Sequence, residues 1–226
     1  EPNRVFNVGS IGVENIRKIE YLSKKDLEES IGFKIDKSTV LVTFHPVTLE
    51  ENTSKTQFNN LLLSLDQFSD IKIIFTKANA DMDSKVINEL IDDYVKRNNG
   101  RAISVESLGS RRYLSALRYV DAVIGNSSSG IIEVPSFKIP TVNIGDRQLG
   151  RIQAASVINC NTDAEDIHAA IDRALQEASQ NKCKDVSNPY EGENTTQKIL
   201  ATIKNYVLNE RIGIKKPFYD IEVKCQ

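Results

Sequence analysis

The sequence predicts an α/β fold with a doubly wound, parallel, Rossmann-like sheet. Short apolar runs rich in β-branched residues alternate with longer segments whose apolar residues recur every three or four positions. The first apolar run, residues 39–44, is nearly uninterrupted, which is typical of a strand buried on both faces of a parallel sheet. With 226 residues, 40% apolar and 27% charged, the chain has the composition of one large globular domain, or of one domain plus part of another.

The predicted elements alternate along the chain. The first strand is Thr39–Phe44, and Pro46 ends it because proline cannot continue the ladder. Further strands are predicted at 71–75, 102–105, 122–124 and 140–144, and 157–160 is a candidate for a sixth. Helices are predicted at 58–68, 84–96, 110–119, after the turn at 125–130, and at 163–176 and 194–207. Ser110 is the expected cap of the helix that it begins.

The predicted sheet leaves residues 1–36 outside it. Two helices are expected there, at 14–22 and 24–31, and we interpret this segment as the end of a preceding domain or a linker. Residues 37–208 form the predicted Rossmann-like domain, and 209–226 form a C-terminal tail. The first residues, Glu1 and Pro2, are neither an initiator methionine nor the start of a signal peptide, so we expect the chain to be part of a longer protein.

Composition excludes several classes of function. A net charge of −2 argues against a nucleic-acid-binding protein, and no apolar run approaches the roughly 18 residues of a membrane span. Three cysteines without CxxC spacing and two histidines predict neither a disulfide framework nor a metal centre. We expect a cytoplasmic protein without a cofactor that contacts neither nucleic acid nor membrane.

Two chemically distinctive turns are predicted to meet. If the strands take the common doubly wound order 3-2-1-4-5-6, the first and fourth strands are neighbours at the switch point of the sheet, where ligands bind beyond the carboxyl ends of the strands. The first strand ends at His45, and the fourth ends at Gly125–Gly130, sequence GNSSSG. We therefore expect both turns to line one crevice.

The GNSSSG turn is suited to a phosphate group. A strand that enters a Gly- and Ser-rich turn before a helix exposes backbone N–H groups at the positive end of the helix dipole. The turn lacks the Walker lysine and the GxGxxG spacing, so nicotinamide dinucleotides are not indicated. A capped helix without a ligand is the alternative. We expect Glu133 in the first turn of that helix, where it would repel phosphate and instead serve ribose hydroxyls or merely compensate the dipole.

Other polar residues are candidates at the same edge of the sheet. His45 is suited to acid–base chemistry near neutral pH, although a lone histidine is more often structural. Arg147, after the fifth strand, would neutralise a phosphate or pair with Asp146. Asn79, after the second strand, would contact a ligand or simply form a turn. We expect His168 to be a surface residue.

Four motifs in this order resemble the hydrolysing UDP-N-acetylglucosamine 2-epimerases of sialic-acid and legionaminic-acid synthesis. The motifs are FHPVT at 44–48, KANAD at 77–81, GNSSSGIIEV at 125–134 and PTVNIGDRQLGR at 140–151. The resemblance extends from about residue 5 to the end of the chain and includes EGENTT at 191–196 and KPFYD at 216–220.

The resemblance implies the C-terminal, nucleotide-sugar-binding domain of a GT-B fold, in which two Rossmann-like domains hold a UDP-sugar between them. It implies the following roles: the diphosphate at Ser127 and Ser128, ribose at Glu133, the phosphates near Arg147, uracil at Leu108, the diphosphate–sugar junction at His45, and a further ligand contact at Asn79.

The same resemblance implies that UDP is eliminated and water is added to give free N-acetylmannosamine. The carboxylates for the proton transfers belong to the first domain of such enzymes, so we expect this chain to be inactive alone. The full-length relatives assemble through that first domain, which implies a homo-oligomer.

Three alternatives remain open: a GT-B glycosyltransferase, a non-hydrolysing epimerase, and a binding or regulatory module. The sugar is also open between N-acetylglucosamine and a diamino relative, and the base between uracil and guanine.

Overall fold

A computed structural model of the chain describes residues 2–35, 38–47, 53–78, 84–209 and 219–220. A six-stranded parallel sheet lies at its centre. The strands are β1 (Thr39–Thr43), β2 (Lys72–Thr76), β3 (Ala102–Val105), β4 (Ala122–Gly125), β5 (Thr141–Ile144) and β6 (Val157–Cys160). Their order is β3-β2-β1-β4-β5-β6, so the predicted fold class and strand order are confirmed, and the candidate sixth strand is real.

The helices connect the strands and cover the sheet. Their bounds are α1 (Ile11–Ile16), α2 (Lys24–Ile31), α3 (Ser54–Asp66), α4 (Ser84–Arg97), α5 (Gly109–Ala116), α6 (Ser128–Ile132), α7 (Ala164–Ser179) and α8 (Thr195–Asn209), with 3-10 turns at Pro2–Arg4 and Val134–Phe137. Within the described part of the chain, no helix is both long and apolar enough to cross a membrane.

Two hydrophobic layers lie on opposite faces of the sheet. Val40 and Val42 point into a layer built with α3, α4 and α7, where Phe58 is fully buried. Leu41, between them, points the opposite way into a layer that contains Leu27 of α2. Successive strand residues face opposite sides of a sheet, so this alternation explains why an almost continuous apolar run is needed in β1.

The N-terminal segment packs against the main body of the chain. Phe33 and Ile35 are buried in the same layer as Leu41 of β1. Further upstream, a Cβ on Gly9, whose φ is +87°, would lie 2.7 Å from Cα of Gly192, so only two glycines permit this close approach. The predicted boundaries at residues 36 and 208 remain a prediction.

Some local predictions are wrong. α1 covers Ile11–Ile16 rather than 14–22. α5 begins at Gly109, and Ser110 is not its cap. The ring of His168 stacks on Phe68 at 4.7 Å between centroids and is half-buried, because α7 lies against the segment that follows α3. The periodicity of the sequence could not locate the ends of α1 and α5, because tertiary packing determines where these helices begin and end.

Candidate functional site

The ends of β1 and β4 are held side by side by a glycine. Thr43 pairs with Gly125 in the parallel register. Gly125 has φ of +138°, and a Cβ there would overlap the carbonyl oxygen of Thr43. Only glycine permits this approach, so the residue brings the two turns predicted to converge into contact.

Asn126 extends this junction beyond the last strand residue. It is 1% exposed, and its Oδ1 accepts a hydrogen bond from the backbone N–H of His45 at 2.8 Å. Its Nδ2 donates to the backbone carbonyl of His45 at 2.7 Å. This pair of bonds fixes the half-buried His45 beside the serine turn, and sequence reasoning missed it because the signal was a single amide within a turn motif.

A cavity of about 310 Å³ opens at this junction. His45 and Ser127 line it together, as the predicted convergence requires. Leu108, which is 4% exposed, also lines it and belongs to the hydrophobic layer that contains Leu41. The structure therefore brings three of the predicted site residues to one cavity.

The serine turn presents unused hydrogen-bond donors. Ser127 caps α6, and its hydroxyl accepts a bond from the N–H of Ser129 at 3.4 Å. The backbone N–H groups of Ser127 and Ser128 have no acceptor among the described residues, and neither hydroxyl donates a hydrogen bond to one of them. Two N–H groups and two hydroxyls at a helix start are suited to an anion.

Arg147 lies next to this turn, although it does not line the cavity. Its Nη1 donates to the carbonyl oxygen of Asn126 at 3.1 Å, and the side chain is exposed. Asn79, the remaining candidate near the rim, lies outside the described residues.

Glu133 is at the end of α6 rather than in its first turn, because the helix already begins at Ser128. It lines a second cavity of about 250 Å³ together with Gly12 and Tyr113. Burial raises the pKa of the Glu133 carboxyl, and a hydrogen bond with Ser129 opposes that shift. The two cavities share Ser110, Tyr113 and Ser129, so the carboxylate lies close to the serine turn.

Tyr113 stands between the two cavities. Its hydroxyl lies 2.6 Å from Oγ of Ser129, within hydrogen-bond distance. Burial raises the pKa of Tyr113, so the phenol stays protonated at neutral pH and remains able to hydrogen-bond. Sequence reasoning did not single out this residue.

A larger cavity, of about 710 Å³, lies at the carboxyl ends of β5 and β6. Its amides bind one another. Asn159 accepts from Nδ2 of Asn143 at 2.8 Å and donates to Oε1 of Gln153 at 2.7 Å. Asn161 donates to Asp166 at 2.6 Å. The volume of a cavity therefore does not by itself show whether its polar groups are free to bind a ligand.

Comparison with known protein sequences places the chain in a family. The sequence profile described as UDP-N-acetylglucosamine 2-epimerase matches residues 1–204. The chain belongs to this epimerase family. The predicted family resemblance is thereby confirmed.

Two curated relatives within the epimerase family are similar to the chain. One is the "GDP/UDP-N,N'-diacetylbacillosamine 2-epimerase (hydrolyzing)" of Campylobacter jejuni, 44% identical over 159 residues, which cover 70% of this chain and 41% of the relative. The other is the "Polysialic acid biosynthesis protein P7" of Escherichia coli, 36% identical over 222 residues, which cover 98% and 56%. The chain thus spans about half the length of the curated relatives it matches.

A solved structure shares the fold of this epimerase chain. It is the UDP-GlcNAc 2-epimerase of Methanocaldococcus jannaschii in complex with UDP-GlcNAc and UDP, with a TM-score of 0.64 and 17% identity. The match covers 90% of this chain and 56% of that one.

Proposed function

We propose that this chain is the nucleotide-binding half of a hydrolysing UDP-sugar 2-epimerase. The observation that carries the proposal is the convergence of His45 and Ser127 on one cavity at the switch point of the sheet. Membership of the epimerase family supports it, because a second domain in the full-length protein would account for the length of the relatives that this chain does not cover.

The diphosphate is assigned to the serine turn. The unpaired N–H groups and hydroxyls of Ser127 and Ser128 would donate to phosphate oxygens, with the start of α6 adding partial positive charge. Arg147, which donates to the carbonyl oxygen of Asn126, retains further N–H donors for the diphosphate.

Ribose is assigned to Glu133 and the base to Leu108, which line the two adjoining cavities beside the serine turn. A carboxylate accepts hydrogen bonds from two adjacent hydroxyls, and Glu133 lies in the cavity that adjoins the serine turn. Leu108 lines the neighbouring cavity and would contact the flat face of uracil. These assignments place the charged and neutral parts of one nucleotide along a continuous surface.

The reaction proposed for the full-length protein is an elimination followed by hydration. A base removes the proton from C2 of the sugar, the C1–O bond breaks, and UDP leaves with the bonding electrons. Water then adds across the resulting double bond of the glycal, which places a hydroxyl on C1 and a proton on C2 with the opposite configuration. His45, at the diphosphate–sugar junction, would donate a proton to the departing diphosphate.

The proton-transferring carboxylates are expected in the half of the protein that this chain does not include. We therefore expect the 226-residue chain to bind UDP without turnover. We also expect the full-length protein to form a homo-oligomer through that other half.

Two sugars are candidates for the natural substrate. UDP-N-acetylglucosamine would give N-acetylmannosamine, which fits a relative named for polysialic acid biosynthesis. A diamino-sugar substrate fits the relative named for N,N'-diacetylbacillosamine, whose name also includes GDP alongside UDP.

The test is incubation of the full-length protein with each UDP-sugar, without an acceptor, while UDP and free sugar are measured. Release of UDP together with the C2-epimerised free sugar is expected. Return of the UDP-linked epimer would instead indicate a non-hydrolysing epimerase, and an unchanged substrate would favour a glycosyltransferase that needs an acceptor. UDP and GDP binding to the 226-residue chain, measured by calorimetry, tests the assignment of the nucleotide site separately.

A further inference from the structure

Asn126 connects the ends of three strands. Its side chain forms two hydrogen bonds with the backbone of His45, at the end of β1, and its own N–H donates to the carbonyl of Thr43 at 3.2 Å. Together these bonds continue the pairing of β1 and β4 beyond the last strand residue. The spacing between His45 and the serine turn is therefore fixed by one buried amide.

The backbone carbonyl of Asn126 accepts hydrogen bonds from the segment that follows β5. Nε2 of Gln148 donates to it at 2.8 Å, and Nη1 of Arg147 donates to it at 3.1 Å. Gln148 is 2% exposed, so its amide is confined within the protein. Both donors belong to the segment that follows β5, which adds the β5 edge to the junction.

The anchored carbonyl also determines where the next N–H points. The carbonyl of Asn126 and the N–H of Ser127 belong to the same peptide group, which is planar and trans, so they point in opposite directions. Because two donors hold the carbonyl towards the β5 edge, the N–H of Ser127 is turned away from that edge. A rotation of this peptide plane would remove the donor from the position it has now.

We propose that Asn126 is a positioning residue for the diphosphate site, acting through the orientation of the Asn126–Ser127 peptide. Its side chain sets the separation between His45 and Ser127, and its carbonyl, held by Gln148 and Arg147, presents the N–H of Ser127 to the anion. The inference rests on the proposed nucleotide function and deepens it.

The chemistry of the side chain explains why an asparagine is needed. Its oxygen accepts from the N–H of His45 and its NH₂ donates to the carbonyl of the same residue. An aspartate would retain the acceptor, but its second oxygen would face the carbonyl of His45 and add negative charge beside a phosphate. Alanine would make neither bond.

The experiment compares Asn126→Ala and Gln148→Met with a matched control. Asn88 of α4 makes the same pair of bonds with one backbone residue: Oδ1 accepts from the N–H of Ala78 at 2.9 Å, and Nδ2 donates to its carbonyl at 3.3 Å. Asn88→Ala therefore removes an equivalent pair of amide hydrogen bonds from the end of β2 and leaves the bonds of Asn126 and of the serine turn in place. Thermal melting of each variant establishes that it is folded.

Affinities for UDP and for uridine are measured on the 226-residue chain. We expect Asn126→Ala to weaken UDP binding about tenfold and Gln148→Met about fivefold, because a charge-assisted hydrogen bond is misdirected. Uridine has no phosphate, so we expect its affinity for both site variants to change by less than about twofold. We expect the affinity of Asn88→Ala for UDP to change equally little. In the unsubstituted chain, we expect UDP to shift the NMR signal of the Ser127 amide proton downfield, and we expect a smaller shift in both site variants.

Each outcome has a separate meaning. Failure of the unsubstituted chain to bind UDP would contradict the proposed function itself. Normal UDP affinity in both folded site variants would overturn the positioning role and leave the nucleotide site standing. Equal losses for UDP and uridine would also overturn it, because they indicate a general structural effect. If Asn126→Ala fails to fold, the UDP affinity of Gln148→Met alone tests the positioning role.

Discussion

Two rims of the same sheet edge differ in how their polar groups are used. The serine rim, formed by residues 43–45 and 125–129, encloses the smaller cavity, of about 310 Å³, and leaves the N–H groups of Ser127 and Ser128 without acceptors among the described residues. The amide rim, formed by residues 143–146, 149–153 and 159–166, encloses about 710 Å³, but Asn143, Asn159 and Gln153 satisfy one another. Free donors, rather than space, therefore distinguish a candidate anion site.

The largest difference between the rims is expected from adding one methyl group to each. Gly125→Ala places a Cβ against the carbonyl of Thr43 at a φ of +138°. We expect a loss of about 3 kcal/mol or more in the free energy of unfolding, together with loss of UDP binding. Gly150→Ala on the amide rim has φ of +81° and meets no atom within 4 Å. It should lose only about 1 kcal/mol, from backbone conformation. Chemical denaturation measures both, and equal losses would contradict the close approach of β1 and β4.

A smaller difference is expected from removing one helix cap on each rim. Ser127→Ala removes the cap of α6 and one hydroxyl of the serine turn. Asp163→Ala removes the cap of α7, where the carboxylate accepts from the N–H of Asp166 at 2.9 Å. Both should lose about 1 kcal/mol of stability, since each loses one capping bond. Only Ser127→Ala should also weaken UDP binding, by about tenfold. Calorimetry measures the UDP affinity of both variants. An equal loss of affinity in Asp163→Ala would contradict the distinction between the two rims.

The smallest effect is a pH dependence of stability at Glu133, in the cavity that adjoins the serine rim. Burial raises the pKa of Glu133, so the folded protein binds this proton more tightly than the unfolded chain does. Stability is therefore lost as the pH rises from the unfolded pKa, 4.5, through the raised one. Glu133→Gln should raise the melting temperature at pH 7 by a few degrees, and the gain should shrink as the pH falls towards about 4.5.

Glu14 provides the opposite case for comparison. Hydrogen bonds from Lys18 and Thr196 lower its pKa to about 2, so its contribution is present above the unfolded pKa, 4.5, and is lost as the pH falls towards about 2. Glu14→Gln should therefore lower the melting temperature at pH 7, with a difference that fades in acid. Melting curves of both variants between about pH 3 and pH 8 test the two signs, and effects of the same sign would contradict the assigned environments.

The sequence predicted the sheet well because burial on both faces leaves a strong pattern. Val40–Val42 of β1 and Ile73–Phe75 of β2 are apolar without interruption, and the strand order used for the prediction is the common one of doubly wound sheets. The convergence of His45 and Ser127 followed from that order alone. Helix ends were less predictable: the local signal at Ser110 suggested a cap, but α5 begins one residue earlier.

The connections inside the site could not be predicted from local sequence. The bonds from Asn126 to His45 join residues 81 positions apart, and the bond from Gln148 reaches back 22 positions. Such contacts exist only once the strands are assembled. The position of Glu133 was wrong for a related reason, because the pattern did not reveal that the serine turn itself starts the helix.

The packing of the N-terminal segment limits how far the chain can be shortened. Leu27, Phe33 and Ile35 fill the layer beneath Leu41 and Ile74. A truncation that begins at residue 37 would strip this covering and leave one side of the central strands open to water. A truncated chain that keeps this layer covered therefore begins upstream of α2, even though the described residues 2–35 contain no strand.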